Sequence, residues 1–536
     1  MSTIRSYLTT HTNPPVFIIS AALVLGFVLW GVFAPGQLGD LAGGLMSWTT
    51  EIFGWWYIAA MTGFVVFVLF LMLSPYGRIK IGKDHEEPEW STWSWFCMLF
   101  TAGMGIGLVF YGVAEPIFHY NSPPTMEGGT DAAAFEAMKL TFFHWGLHPW
   151  AMYLVIGLSM GYFCFRHDLP LRPASAFYPL IGKGIYGWVG NAIDILAVFG
   201  TLFGLATSLG LGASQINAGL AEVFGIAQNA TVQVLIIAAV TAVAVTSVML
   251  GLGAGVRRLS VINMYLALLL AAIVFVAGPT LFILEFMIGS TGVYVQTLPS
   301  TSLRLFSLSQ EGSDWISSWT LFYWGWWIAW SPFVGMFIAR ISRGRTIRQF
   351  IAGALFAPVG VSIAWFTVFG GTALKMIMGD GSSPLADAGT TDAMFLLMDE
   401  LPLAGAFTTL LSLLAVIVVA IFFATSSDSG SLVVDMLTNG GDPNPIWQQR
   451  FFWAVLEGAV AAILLVAGAA GGGDPLSALQ TAAVTSGLPF SIVLVFMAWG
   501  LVRGLRQDRV PAPTGAAQDP DHAPQEQRAA QPAAGD

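Results

Sequence analysis

The chain has 536 residues, 56% of them hydrophobic and only 10% charged, where an ordinary soluble domain carries roughly 25% charged residues. That deficit argues against a typical water-soluble globule and points to the lipid bilayer. The formal net charge of −10 does not imply a basic partner: the acids sit mostly in loops and a terminal tail, and no basic stripe suited to nucleic acid is present.

Apolar runs of about 20 residues, enough to cross ~30 Å of hydrocarbon at 1.5 Å per residue, recur along the chain. The first follows Arg5, ends near Phe33 without a small-residue cleavage site, and is read as a spanning helix rather than a signal peptide. The expected spans are 15–34, 53–74, 92–118, 135–164, 188–221, 229–251, 259–287, 319–339, 347–375, 405–435, 450–470 and 477–502. With the N-terminus inside, 18 of the 21 Lys and Arg residues fall in cytoplasmic segments, leaving Lys139, Arg304 and Lys375 at the outer side. This bias predicts an even number of spans and two cytoplasmic termini. Segments 121–135 and 379–392 are acidic and rich in Gly, Pro and Ser, as exposed connectors are. From about Gln507 to Asp536 the composition turns to Pro, Ala, Gln and Asp, too polar to bury a core, so disorder is expected. Cys97 and Cys164 lie in or at the edge of apolar runs and read as free buried thiols.

Three segments carry candidate chemistry. In the third span, Thr101-Ala102-Gly103-Met104-Gly105-Ile106-Gly107-Leu108 places glycines at alternate positions of a segment that must otherwise be helical, each costing about 1 kcal/mol relative to alanine. Gly103 and Gly107 could serve close helix packing. Alternatively the segment unwinds at the midplane and offers backbone groups to a cation and to a substrate carboxylate. In the eighth span, Tyr323-Trp324-Gly325-Trp326-Trp327-Ile328-Ala329-Trp330 puts four tryptophans within seven residues. In the fourth, His144-Trp145-Gly146-Leu147-His148-Pro149-Trp150-Ala151-Met152-Tyr153 supplies three more rings, and a continuous helix would bring Trp145, Trp150 and Tyr153 into one sector. Each cluster alone reads as core or interface packing. Together they suit a trimethylammonium group, which donates no hydrogen bond and is held by ring faces. In the tenth span, Thr425-Ser426-Ser427-Asp428-Ser429 is unusually hydroxylated. Thr425 and Ser426 could coordinate sodium through hard oxygens or bond back to the preceding turn, and Asp428 reads as a structural anchor within the membrane.

The glycine segment, the aromatic helix pair and the Thr-Ser-x-Asp segment, in this order and separation, resemble the betaine/choline/carnitine transporter family over nearly the whole chain. The resemblance implies an all-α membrane protein of about 12 transmembrane helices with a LeuT-like core of two inverted five-helix repeats. Residues 1–91 would be an N-terminal segment with two peripheral helices, 92–287 the first repeat, 288–318 an external connector, 319–503 the second repeat and 504–536 a disordered cytoplasmic tail. It further implies a secondary active transporter, not an enzyme, in a bacterial inner membrane. The expected function is sodium-coupled symport of a zwitterionic quaternary-ammonium solute by alternating access in a homotrimer, with no organic cofactor.

Carried onto this sequence, Trp145, Trp150, Tyr153 and Trp327 resemble the aromatic box, and Trp330, Trp326 and Trp324 the cytoplasmic release route. The backbone near Ala102 and Met104 resembles the seat of the carboxylate. One sodium would use Thr101, Met104, Thr425 and Ser426. A second would use Thr201 and the backbone at Phe333, but Leu205 stands where another hydroxyl is wanted, which argues against that ion. Choline carriers of the family tend to have an acid at the last glycine of the segment, so Gly107 argues for a zwitterion. Glycine betaine leads, with dimethylsulfoniopropionate, ectoine, choline or carnitine, and proton coupling or exchange, as alternatives. The short tail lacks the long basic helix of the family's osmotic sensors, which argues against osmotic activation.

Two enzyme-like signals are set aside. Gly157-Leu158-Ser159-Met160-Gly161 matches a nucleophile elbow only in letters, because it lies within a spanning helix. His144 and His148 are one turn apart, but no third metal ligand is evident beside them in the sequence. A channel would need a continuous polar lining, whereas polar groups here are confined to a few segments.

Overall fold

A computed structural model describes residues 10–103, 105–249, 253–380, 383–443, 446–470 and 476–508. Among them the fold is all-helical, with one isolated antiparallel bridge between Lys80 and Thr346. Helices are what a lipid-embedded chain requires, since each backbone N–H and C=O must find its partner within the segment.

Ten helices are long and apolar enough to span among the described residues. They are α1 (Pro14–Phe33), α2 (Pro35–Leu73), α7 (Trp188–Phe224), α8 (Ala230–Met249), α9 (Gly253–Ala277, spanning from Arg258), α10 (Thr280–Ser302), α13 (Ile347–Phe366, continued to Gly379), α16 (Gly405–Thr438), α17 (Trp447–Ala470) and α18 (Ser477–Leu505). Three further apolar runs form helices that are interrupted or less hydropathic: α3 (Thr92–Gly103) with α4 (Ile106–Asn121), α5 (Asp131–Trp145) with α6 (Leu147–Gly161), and α12 (Phe322–Ile341). The Ser159 segment lies inside α6.

The expected run 259–287 is split. Helix α9 ends before Gly278-Pro279, where Gly278 N–H closes the last turn on Val274 O, and α10 starts at Thr280. Proline lacks the amide needed to continue the ladder and disfavours helical geometry in its predecessor. The outer helices turn large apolar side chains outward, among them Leu23, Val66, Leu235, Val276 and Ile288, as lipid-facing surfaces do.

The interior is built on α12, which packs against α6, α7 and α18, while α16 packs against α7. Small residues set these distances: a Cβ on Gly204 would lie 2.9 Å from Trp330 N, and one on Gly487 would lie 2.7 Å from Gly325 O. Such close backbone approach is how membrane helices gain packing energy without a hydrophobic driving force.

At one end of the bundle the loop after α2 is stitched to two others. Ile81 N–H donates to Arg345 O at 2.7 Å, and Ile347 N–H to Ile79 O at 2.9 Å. Lys83 pairs with Asp168 at 2.6 Å, Arg343 with Glu86 at 2.5 Å, and Arg166 with both Asp84 and Asp508. Hydrogen bonding to Arg166 and Arg343 holds the Asp84 and Glu86 carboxyls below the usual carboxylate range. Asp508, counted by the sequence reading with the tail, is therefore fixed here by Arg166 and by the Tyr162 hydroxyl. The rest of the tail, 509–536, lies outside the described residues.

Candidate functional site

The glycine segment interrupts its helix, the second of the two readings the sequence left open. Helix α3 ends at Gly103, and Gly105, with φ −136° and ψ −143°, is non-helical before α4 begins. Met104, one of the expected ligands, lies outside the described residues, and of Thr101 and Ala102 only the helical backbone is described. The interruption faces the hydroxylated stretch of α16: a Cβ on Gly105 would stand 4.0 Å from Ser426 Oγ. Thr425 donates its hydroxyl to Ile421 O at 2.8 Å, the back-bonded arrangement, which leaves lone pairs on Oγ1. Asp428 is paired with Arg450 at 3.2 Å.

Gly107 opens space for rings. A Cβ there would come within 2.7 Å of Trp145 Cη2 and 2.8 Å of Trp326 Cη2.

The fourth run, expected as one continuous helix, is broken at Gly146, with φ −101° and ψ −125°. A break leaves carbonyls without partners on one side and amides on the other. Aromatic side chains supply them: Trp327 Nε1 donates to His144 O at 3.0 Å, and Leu147 N–H donates to the Tyr294 hydroxyl at 3.1 Å. The single-sector argument for Trp145, Trp150 and Tyr153 therefore fails, because it assumed an unbroken helix between Trp145 and Trp150. Their rings nevertheless form one chain through Trp327. Trp145 meets it edge to face at 4.8 Å, Tyr153 at 6.4 Å, and Tyr153 meets Trp150 at 5.8 Å. All four are buried.

Of the three further tryptophans, Trp326 stacks on Trp327 at 4.7 Å, and Trp330 meets Trp326 edge-on at 6.3 Å. Trp324 points elsewhere, stacked on His148 at 5.3 Å and edge-on to Phe143. Phe333 touches Trp330. Thr201 is buried with its hydroxyl donated to Ala197 O at 2.8 Å, and Leu205 fills a notch left by Gly430, whose added Cβ would lie 2.4 Å from Leu205 Cδ1. That face of α7 thus supplies the back-bonded Thr201 hydroxyl, an apolar plug at Leu205 and, one turn further on, Ser208, whose hydroxyl donates to Gly204 O and accepts from Trp326 Nε1.

The sequence reading missed Glu115. It is fully buried in α4 and accepts from Trp145 Nε1 at 2.7 Å and the Tyr323 hydroxyl at 2.5 Å on Oε2. Its Oε1 accepts from His144 Nδ1 at 2.7 Å and His119 Nε2 at 3.3 Å. An acid inside an apolar run was the available signal. Glu115, His119 and His144 place ligand-type atoms within 4.8 Å of one another, a grouping unlike the His144 and His148 pair weighed in the sequence. The His144 nitrogens are already committed, Nδ1 to Glu115 and Nε2 to Thr320 Oγ1 at 2.9 Å, so the set reads as a hydrogen-bond hub.

Comparison with known proteins gives one consistent family. The profile described as "BCCT, betaine/carnitine/choline family transporter" matches residues 15–510. A glycine betaine transporter of Acinetobacter baylyi is 45% identical over 501 residues, 93% of this chain and 74% of that protein. One of Bacillus subtilis is 45% identical over 495 residues, 92% of this chain and 94% of that protein. A glycine betaine/proline/choline transporter of Vibrio parahaemolyticus is 42% identical over 510 residues, covering 92% and 90%.

Proposed function

This chain belongs to the betaine/carnitine/choline family of transporters, and on that premise we propose that it carries glycine betaine by sodium-coupled symport. The observation that carries the reading is the ring chain Trp145, Trp327, Tyr153 and Trp150, beside a helix interruption that faces Ser426. A trimethylammonium head presents diffuse positive charge and no donor, so ring faces are its natural partners, at up to ~2 kcal/mol or more for a desolvated contact. Its carboxylate would be received by backbone amides of the interrupted segment, freed on the α4 side of the break, the arrangement discontinuous helices provide. Trp326 and Trp330 extend the ring series toward the inner end and suit a release route.

The hydroxyls of Thr425 and Ser426, with backbone oxygens of the interrupted α3, are hard donors of the kind sodium takes. Bound there, the ion would supply the positive charge that ties α16 to the interrupted segment. On the Thr201 side the apolar Leu205 stands one turn on, which favours one sodium over two. The basic-residue asymmetry supports cytoplasmic termini, and the family supports two inverted five-helix repeats, alternating access and a homotrimer.

The Vibrio relative's name includes proline and choline, so competition decides the substrate. Purified protein in liposomes is expected to accumulate radiolabelled glycine betaine only under an inward sodium gradient, with choline, proline, ectoine and dimethylsulfoniopropionate competing less well. Sodium-independent uptake would instead favour proton coupling or exchange.

A further inference from the structure

A carboxylate buried within a bundle is costly unless donors surround it. Glu115 has four donors: two ring N–H groups from histidines, one indole N–H and one phenol. This is the pattern of an ionised, acceptor-only carboxylate. No Lys or Arg is among its described ion-pair partners, which are His119 and His144. In the neutral His144 tautomer that donates through Nδ1, Nε2 accepts from the Thr320 hydroxyl. With Glu115 ionised and both histidines neutral, the hub holds a negative charge that hydrogen bonds stabilise and no Lys or Arg cancels.

One of its donors, Trp145, belongs to the ring chain of the proposed site, and another, Tyr323, stacks on that chain. Trp145 meets Trp327 at 4.8 Å, and Tyr323 stacks over Trp327 at 5.8 Å with the planes 22° apart. The charge thus stands one ring behind the surface that faces the site. An indole or phenol donating to a carboxylate carries more electron density on its face, and the carboxylate's own field crosses the ring in a medium with little screening.

Resting on the aromatic-site reading, we infer that Glu115 is a specificity-determining residue, whose charge acts through Trp145 and Tyr323 to strengthen the hold on a quaternary-ammonium head. It touches no substrate itself and also positions both rings. A carrier built this way favours a cationic head over a neutral one of the same shape, which a purely apolar cage does poorly.

The test uses the full-length protein in liposomes, with radiolabelled glycine betaine and its carbon isostere 3,3-dimethylbutanoate as competitor. Glu115→Gln keeps the side-chain shape and removes the charge. Its half-saturation concentration for betaine is expected to rise on the order of tenfold with the maximal rate within about twofold, while inhibition by the isostere holds or improves. Glu115→Asp, which keeps the charge, is expected to stay within about threefold of wild type. Equal losses for betaine and isostere, a fall confined to the maximal rate, or a tenfold loss in Glu115→Asp would each mean a structural role and overturn the inference. Should the glutamine variant fail to assemble, the aspartate variant still separates retained charge from altered shape. Saturable wild-type uptake with an unchanged Glu115→Gln curve removes this inference alone. Wild-type liposomes without saturable betaine uptake remove the substrate reading as well.

Discussion

Trp327 has two separable jobs, and substitution can part them. Its ring meets Trp145, Trp326, Tyr323 and Tyr153, at 4.8, 4.7, 5.8 and 6.4 Å. Its indole N–H caps the His144 carbonyl at the Gly146 break, at 3.0 Å. Trp327→Ala removes both. Loss of one desolvated cation–π contact of about 2 kcal/mol corresponds to about a thirtyfold rise in half-saturation for betaine, and at least tenfold is expected. Trp327→Phe keeps a ring but leaves a buried carbonyl without its donor, which costs about 1–3 kcal/mol of stability. The phenylalanine variant should therefore melt at lower temperature while keeping a half-saturation well below that of the alanine variant. The assay is initial-rate uptake in liposomes, normalised to correctly folded protein, with thermal unfolding in detergent alongside. An alanine variant within twofold of wild type would refute the assignment of Trp327 to substrate.

Thr425→Ala combined with Ser426→Ala should weaken the sodium dependence of uptake, read as a right-shifted sodium titration; an unchanged titration would place the coupling ion elsewhere. Gly107→Ala drives a methyl against the Trp145 and Trp326 rings; overpacking of this kind costs about 1–3 kcal/mol, so betaine half-saturation should rise about fivefold or more, and unchanged transport would mean the rings yield freely. At the stitched end, Asp84 and Glu86 have lowered pKa values, so their pairing is fully present above the ordinary carboxylate range and lost as pH falls through the lowered values. Amide exchange of 79–88, corrected for intrinsic rates, should stay slow through the ordinary carboxylate range and quicken as pH falls below it. In Arg343→Ala it should already be faster at neutral pH; equal protection there would mean the backbone bridge alone holds the loop.

The spans were legible because lipid demands long apolar runs, and most of those read from the sequence reappear within a few residues. The seventh was misjudged although Gly278-Pro279 marked its end, because hydropathy stays high across the pair and continues into α10. The break at Gly146 was not legible. One glycine between two tryptophan-bearing turns is unremarkable in a helix, and what opens it are partners far along the chain, Tyr294 and Trp327. Glu115 was hidden for the same reason: three of its four partners lie 29, 30 and 208 positions away, and only the fold assembles the hub. The alternate glycines and the hydroxyl run were readable because their chemistry is local, and their approach at Gly105 and Ser426 needed the structure.

The interruption at Gly146 obeys a physical rule. A helix broken inside a membrane exposes amides and carbonyls that lipid cannot satisfy, so a break persists only where side chains with polar tips reach it. Here those tips belong to aromatic residues: Trp327 on His144 O and Tyr294 on Leu147 N. The indole suits this role because its single donor sits at the rim of a large apolar ring, so the cap brings the ring face into the cavity the break creates. The abundance of tryptophan around α4, α5 and α12 therefore follows from the broken helices as much as from the ligand. Substitutions there should affect stability and selectivity together unless the ring and the N–H are removed separately.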